Sequence, residues 1–549
     1  MVERMGEKPT NPTSIIAAQG IKLLGGGPPP LIFRCGFCRK FRTSDCPGES
    51  LDNIREKIFN QEEDSEPISP ICFEIEEKKI PDSDALIQLF ADSILESFTV
   101  RHFVKDGSPL GLYMWKNGRY VEAEEELRAI VEGWAVAIGI EKKVKTRIVN
   151  EVIEKVKRRT YFELPEEPLM IAFRSCAFAW EPFLNGDISR AIIPIEQTKE
   201  RPIFHFIPWS LDIEILTRGL ERLKNGEGFE ALAQEWAPQA VEVFRGWVGD
   251  SWLLLFEIIG YCLYPRYPLN KAFMLVGDGS NGKSTYLRLL KEILGAHNIV
   301  GLSLQDLCNY RFAASELYHK LANIYEDIPA KPIGYTGPFK ILTGEDWFSA
   351  PRKFKTSIFM CNYAKLIFSA NELPQVSDQT YAFWRRWIVI EFPNKFPDDP
   401  GFFERTFTPE LIERIIALGI LALWGVWRRR AFSVKERAED FKEKWLRATN
   451  PVYAYVKGGL EEGRLTLDRE AYTDAGDLYM DYESWAKNND TEIVSKATFT
   501  KELERLFGIV KKRIREGGRL TYVYYGVKLL EKGEDEGVDE GLDSNAGGW

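Results

Sequence analysis

Cysteine, histidine and glutamine are all scarce in this chain. The 549 residues hold eight cysteines, too few and too scattered for a disulfide framework. Cys176, Cys262, Cys308 and Cys361 stand singly in apolar surroundings and read as core residues. Nine glutamines beside abundant Glu, Lys and Arg is a balance that thermophilic proteins favour. No apolar run reaches the ~18 residues of a membrane span. The longest, Ile415 to Trp427, is 13 residues closed by Arg428, Arg429 and Arg430, and predicts a buried core helix. The N-terminus lacks the apolar core of a signal peptide, so a cytoplasmic protein with no membrane partner is expected.

What is present is ordinary globular composition, 44% hydrophobic and 28% charged, which excludes a disordered or collagen-like chain. At ~150 residues per domain the length suggests three or four domains. A net charge of −10 argues against a general nucleic-acid binder. The placement of the charge weakens that objection. Residues 531–549 carry seven acids against Lys532 and read as an acidic disordered tail, leaving only −4 on the rest. Basic clusters remain at Arg352, Lys353 and Lys355, at Arg428 to Arg430, and at Lys511, Lys512, Arg513 and Arg515.

Composition shifts divide the chain. Residues 1–30, rich in Gly and Pro, predict a flexible leader, and 31–80 hold the other four cysteines. Residues 81–236 read as mostly helical, with short aromatic strands near Leu169 to Ala179 and Ile203 to Ile207. Residues 237–435 alternate strand and helix as an α/β domain does, and 440–530 end in helices and a hairpin.

The strongest motif is Gly277-Asp278-Gly279-Ser280-Asn281-Gly282-Lys283-Ser284, with Thr285 next, fitting G-x-x-x-x-G-K-[ST]. An apolar segment, Ala272 to Val276, precedes it, and a helix with Leu287, Leu290 and Leu294 on one face follows. Glycines let backbone N–H groups converge on phosphate oxygens, and the helix N-terminus favours anions. Lys283 can reach the β- and γ-phosphates of ATP, and the Ser284 hydroxyl can ligate Mg²⁺. Forty-three residues after Lys283, a strand-like run ends in Glu326 and Asp327. One can hold the Mg²⁺ shell and the other polarise the attacking water. A further apolar strand ends in Asn371, a neutral partner for the γ-phosphate or the water. Arg385 and Arg386 then precede the strand Ile388 to Phe392, as an arginine finger that neutralises transition-state charge could.

With these residues in this order, the chain resembles superfamily 3 helicases of the poxvirus D5 and phage/plasmid primase-helicase type. The resemblance rests on Gly277 to Thr285, Glu326-Asp327, Leu342 to Asp346, Ser369 to Pro374 and Phe383 to Trp387, and extends from about residue 85 to about 530. It implies an AAA+-like P-loop ATPase fold with a helical N-terminal collar, a hexamer, and 3′ to 5′ movement on single-stranded DNA. By motif it makes Asn371 the first sensor, Arg385 the leading finger in trans and Arg386 the second. It places a DNA-contacting hairpin at Arg352, Lys353 and Lys355, where three cations around an aromatic suit phosphates and stacked bases. A separate primase or polymerase is the expected partner. Asp212-Ile213-Glu214 has no later Ser-x-His, so no primer synthesis by this chain is expected.

Cys35, Cys38, Cys46 and Cys72 could form one structural Zn²⁺ site, or remain reduced thiols. Near the other end, Leu478, Tyr482 and Trp485 line one helical face and Phe499, Leu503 and Leu506 another. Strands Ile509 to Arg515 and Arg519 to Tyr525 follow. Helix, helix, hairpin predicts a winged helix whose Lys511, Lys512 and Arg513 favour DNA, or one that docks protein. Two functions stay open: a helicase acting on single-stranded and forked DNA for a virus, plasmid or integrated element, and an origin-binding initiator that uses ATP as an assembly switch.

Overall fold

The structure is a computed structural model that describes residues 82–530, apart from 106, 138, 165–168, 330, 354, 435–436 and 517–518. The leader, the four N-terminal cysteines and the acidic tail lie outside the described residues.

A five-stranded, all-parallel sheet organises the middle of the chain. Its strands in chain order are β1 (Ala272–Val276), β2 (Ile299–Val300), β3 (Ala322–Tyr325), β4 (Lys365–Ala370) and β5 (Trp387–Glu391), and they lie side by side as β5-β1-β4-β3-β2. Parallel strands covered on both faces read as unbroken apolar runs, which is why Ala-Phe-Met-Leu-Val and Lys-Leu-Ile-Phe-Ser-Ala appear here. Alternate residues serve two cores. Phe273, Leu275, Ile367 and Ile390 face one layer of helices, whereas Met274, Leu366, Phe368 and Ala370 face the other. The first layer holds Trp252–Leu263, Lys283–Leu294 and Pro409–Arg429. The last contains the run Ile415 to Trp427, buried as its apolarity predicts, with Thr408 capping its start by accepting from the Leu411 N–H. The stretch Pro238–Leu263 is long and apolar enough to cross a membrane, but 72% of its apolar window is buried within the fold, as in a core helix.

The N-terminal region is mainly helical, with Ser83–Ser97, Glu124–Ala137, Thr146–Arg159, Ile213–Lys224 and Phe229–Trp236, and it carries more strand than the short segments near Leu169 to Ala179 and Ile203 to Ile207 suggest. Val100–Lys105, Ser108–Lys116, Arg119–Glu122 and Tyr161–Glu163 form a four-stranded sheet, and Met170–Ala172, Ala177–Ala179 and Ile192–Ile193 a three-stranded one. The hairpin between Lys116 and Arg119 turns on Asn117 and Gly118, both at positive φ (47° and 87°), as a two-residue type I′ turn requires. That Asn-Gly pair is the local sequence signal for the hairpin.

Between β3 and β4, Trp347–Arg352 and Lys355–Cys361 form a separate antiparallel hairpin. After residue 440 come the helices Pro451–Glu461, Ala475–Asn488 and Lys496–Phe507, then strands Val510–Glu516 and Arg519–Tyr525, with Tyr472–Asp474 completing a three-stranded sheet. Leu478, Tyr482, Phe499 and Leu503 share its core. Leu506 packs instead against the core of the parallel sheet, fastening the two units together.

Candidate functional site: a glycine loop at the sheet's carboxyl edge

The strand order creates a crevice. From β1 the chain crosses to the far edge at β2, fills back through β3 and β4, and then crosses to β5 on the opposite side of β1. Ligands of open α/β sheets bind beyond the carboxyl ends of strands where such a reversal occurs. Here Gly277 follows β1, Glu326 and Asp327 follow β3, and Asn371 follows β4.

The glycine loop is held from three sides. Asn281 Nδ2 donates to the Phe392 carbonyl (3.2 Å), tying the loop to the end of β5. Phe396 N–H donates to the Ser280 carbonyl (2.7 Å). Beneath Gly282, at φ 94°, lies the indole of Trp247, and a Cβ there would fall 2.4 Å from its Nε1. Only glycine fits this position, on both conformation and space.

Lys283 opens the helix Lys283–Leu294 and is buried. Its ammonium donates to Asn371 Oδ1 (3.2 Å) and to the Gly277 carbonyl. Burial holds its pKa below the usual lysine value, and the nearby Asp278 and Asp327 carboxylates oppose that shift. Asp278 and Ser284 are exposed, and Thr285 is half-buried.

Asp327 sits at φ 52°, in the left-handed region. Ser369, on β4 just before its end, secures it. The Ser369 hydroxyl accepts from the Asp327 N–H (3.1 Å), and its carbonyl accepts from Ile328 N–H (2.9 Å). Glu326 is drawn aside into an ion pair with Lys291. Ser369 belongs to the Ser369 to Pro374 motif, but nothing local to that motif shows this role. Its partner is 42 residues away, so only the fold reveals it.

A hydroxyl and one or two carboxylates form the partial donor set that Mg²⁺ takes when phosphates and water complete its shell. Ser284, Asp327 and Glu326 fit that description in kind. Among the described residues no group of three or more His, Cys, Asp or Glu side chains could hold a metal by itself.

The structure separates the two arginines. Arg386 is 8% exposed, its Nε donates to Thr343 Oγ1 (2.9 Å), and Nη1 donates to the Ala382 carbonyl. Its guanidinium is engaged inside this chain. Thr343, from the Leu342 to Asp346 motif, is thereby an anchor for Arg386. Arg385 is exposed.

The cationic cluster lies elsewhere. Arg352 and Lys355 pair at the tip of the Trp347–Cys361 hairpin, and Arg352 Nη1 lies 3.7 Å from Glu122 Oε1. The hairpin leads into the start of β4, the end opposite Asn371. At ~3.3 Å per residue, β4 links the two as one rigid strut. On the C-terminal hairpin, Lys511 and Arg513 both approach the ring of exposed Tyr522 (5.1 and 5.7 Å), and Lys512 that of Tyr525 (4.7 Å).

Residues 275–386 match a family of unknown function, DUF5906, so the match runs from β1 to Arg386. Over 149 residues the chain is 29% identical to a protein of Acanthamoeba polyphaga mimivirus named "Putative helicase". That alignment takes in 26% of this chain and 15% of the viral protein's length. Among solved structures, two apo forms of the NrS-1 C-terminal region are similar. One is 14% identical with a TM-score of 0.37, the other 13% with 0.35, each covering 82% of this chain and 100% of its own.

Proposed function

We propose that this chain is an ATP-dependent DNA helicase of the superfamily 3 type, with an AAA+-like ATPase unit, moving 3′ to 5′ on single-stranded DNA. The observation that carries this reading is the convergence of Lys283, Asp327 and Asn371 at the carboxyl ends of three adjacent parallel strands, around a glycine loop that opens a helix. Similarity to a viral protein named as a helicase supports it.

In this reading the loop N–H groups bind the phosphates of ATP. Lys283 exchanges its Asn371 and Gly277 partners for the γ-phosphate and stabilises the charge that develops there. Asn371 then orients the attacking water without adding negative charge. Ser284 and Asp327 would hold Mg²⁺, which would supply further charge neutralisation when bound. Glu326, once released by Lys291, polarises the water. Arg385 reaches the site of the next subunit in a homo-hexamer. Arg352, Lys353 and Lys355 hold the translocating strand, and Lys511, Lys512 and Arg513 of a winged-helix unit hold forked DNA. A structural Zn²⁺ on Cys35, Cys38, Cys46 and Cys72, and a separate primase or polymerase, complete the proposal.

The test is ATP turnover with and without single-stranded DNA, beside strand displacement on a forked duplex. Stimulated turnover with displacement is expected. ATP-dependent binding without displacement would instead favour an origin-binding initiator, a reading for which the cationic, aromatic C-terminal hairpin is the supporting feature.

A further inference from the structure

The Trp347–Cys361 hairpin has two unlike faces. Ala350, Ile358 and Met360 point into the core and are at most 3% exposed. Side chains alternate along a strand, so Trp347, Ser349 and Phe359 occupy the opposite face. The solvent face of a hairpin packed on one side is ordinarily polar. Here two of these three positions are aromatic.

The two rings are diagonal neighbours, since Trp347 pairs with Cys361 and Ser349 with Phe359. They stack at 5.3 Å between centroids with 25° between planes, yet remain 44% and 53% exposed. Lys105, from the N-terminal sheet, brings its ammonium to 4.4 Å from the Trp347 centroid. Arg352 and Lys353 follow at the tip of the same hairpin. Stacked aromatic surface flanked by cations is complementary to a strand with unpaired bases and a phosphate backbone. A protein partner or second copy needs no cations beside the rings, and a duplex offers phosphates but no base faces.

We propose that Trp347 and Phe359 form a stacking platform for the unpaired bases of a single-stranded nucleic acid, with Lys105, Arg352 and Lys353 holding its phosphates. The platform rests on the helicase reading above, and it assigns base stacking to the pair Trp347 and Phe359 on the hairpin's outer face, away from its cationic tip. Because stacking accepts any base, the site is blind to sequence.

The test compares the full-length protein's affinity for an oligothymidylate and for an abasic strand of equal length and charge. The wild type is expected to prefer the strand with bases by roughly tenfold. The Trp347→Leu/Phe359→Leu double variant keeps apolar bulk on the hairpin and should bind both strands alike. Trp347→Phe/Phe359→Tyr should restore the preference, which a merely misfolded hairpin would not show. A wild type that binds both strands equally overturns the platform while leaving the helicase reading intact. A double variant that keeps the base preference but loses assembly in light scattering also overturns it, and assigns the rings to a subunit contact. Binding to neither strand would sink the helicase reading and the platform with it, a result distinct from the other two.

Discussion

Lys283 and Asn371, 88 positions apart in sequence, are joined directly: the lysine ammonium donates to the asparagine Oδ1 at 3.2 Å. The cation of the glycine loop and the neutral end of β4 therefore already share one point in space. Whatever binds the loop must address both groups together. Replacing Lys283 by Ala removes the only cation in the loop and should lower ATP turnover by about a hundredfold or more. The fold should persist, because the ammonium's two partners both lie at the solvent-facing crevice. Turnover by purified Lys283→Ala near that of the wild type would overturn the assignment.

Ser369 offers a sharper probe of the same site. It touches no nucleotide in the proposed arrangement; it fixes the left-handed turn at Asp327, a conformation that costs non-glycine residues about 1 kcal/mol or more. Ser369→Ala should let that turn relax. The expected outcome is a kcat about tenfold lower, little change in KM for ATP, and a higher Mg²⁺ concentration for half-maximal rate. Ser369→Thr keeps the hydroxyl and should stay close to the wild type. Unchanged Mg²⁺ dependence in Ser369→Ala would show that Asp327 is placed without it.

The glycine loop and its flanking strand and helix are legible in the sequence because their signals are local. A phosphate-binding turn needs its glycines, lysine and hydroxyl within eight consecutive residues, and apolar runs mark β1, β3, β4 and β5. Glu326 and Asp327 stand out by position after such a run. No local pattern says that Glu326 pairs with Lys291, that Arg386 is bound to Thr343, or that Trp247 lies beneath Gly282. Each of these depends on a partner dozens of residues away. The N-terminal sheet is obscure for a different reason. The alternation of its first strand is broken by a register shift between Phe103 and Val104, which leaves both residues buried and hides the period of two despite the Asn117-Gly118 turn.

Lys365 predicts a pH dependence. It begins β4 fully buried, its ammonium donates to the Tyr264 and Tyr363 carbonyls, and the rings of Tyr261 and Tyr267 lie 4.6 and 5.4 Å away. Burial pushes its pKa down from 10.5 to about 7. Between those two values the unfolded chain holds the proton more often than the folded one. Stability therefore rises with pH across this window, by at most about 1.4 kcal/mol per pH unit from this group. Below pH ~7 both states are protonated and the dependence ceases. Melting temperatures of wild type and Lys365→Met should thus change relative to one another between pH 7 and 10, in favour of the wild type as pH rises. A constant difference across that range would mean that Lys365 does not titrate there.

Arg385 is exposed while its neighbour Arg386 is held inside the chain. In the proposed arrangement Arg385 acts across a subunit boundary, so Arg385→Ala should leave nucleotide binding intact and remove hydrolysis. Mixing it with Lys283→Ala protein should recover part of the activity, because some interfaces then combine an intact loop with an intact arginine. Mixtures that co-assemble yet stay inactive would show that Arg385 does not act in trans.

Changing Arg352, Lys353 and Lys355 together to Ala should separate ATP turnover from unwinding. The hairpin joins β4 at the end opposite Asn371, so in the proposed arrangement rearrangement at the γ-phosphate can reach it through one strand. Basal turnover should persist. Stimulation by single-stranded DNA and displacement of a fork should collapse, and the salt dependence of strand binding should flatten as fewer counterions are released. The C-terminal hairpin is the competing anchor, with Lys511, Lys512 and Arg513 able to hold DNA by themselves. The comparison is therefore made in a background where those three are also Ala, so that residual binding cannot come from them. If the sextuple variant unwinds a fork as well as the C-terminal triple variant alone, the Trp347–Cys361 hairpin does not drive the strand.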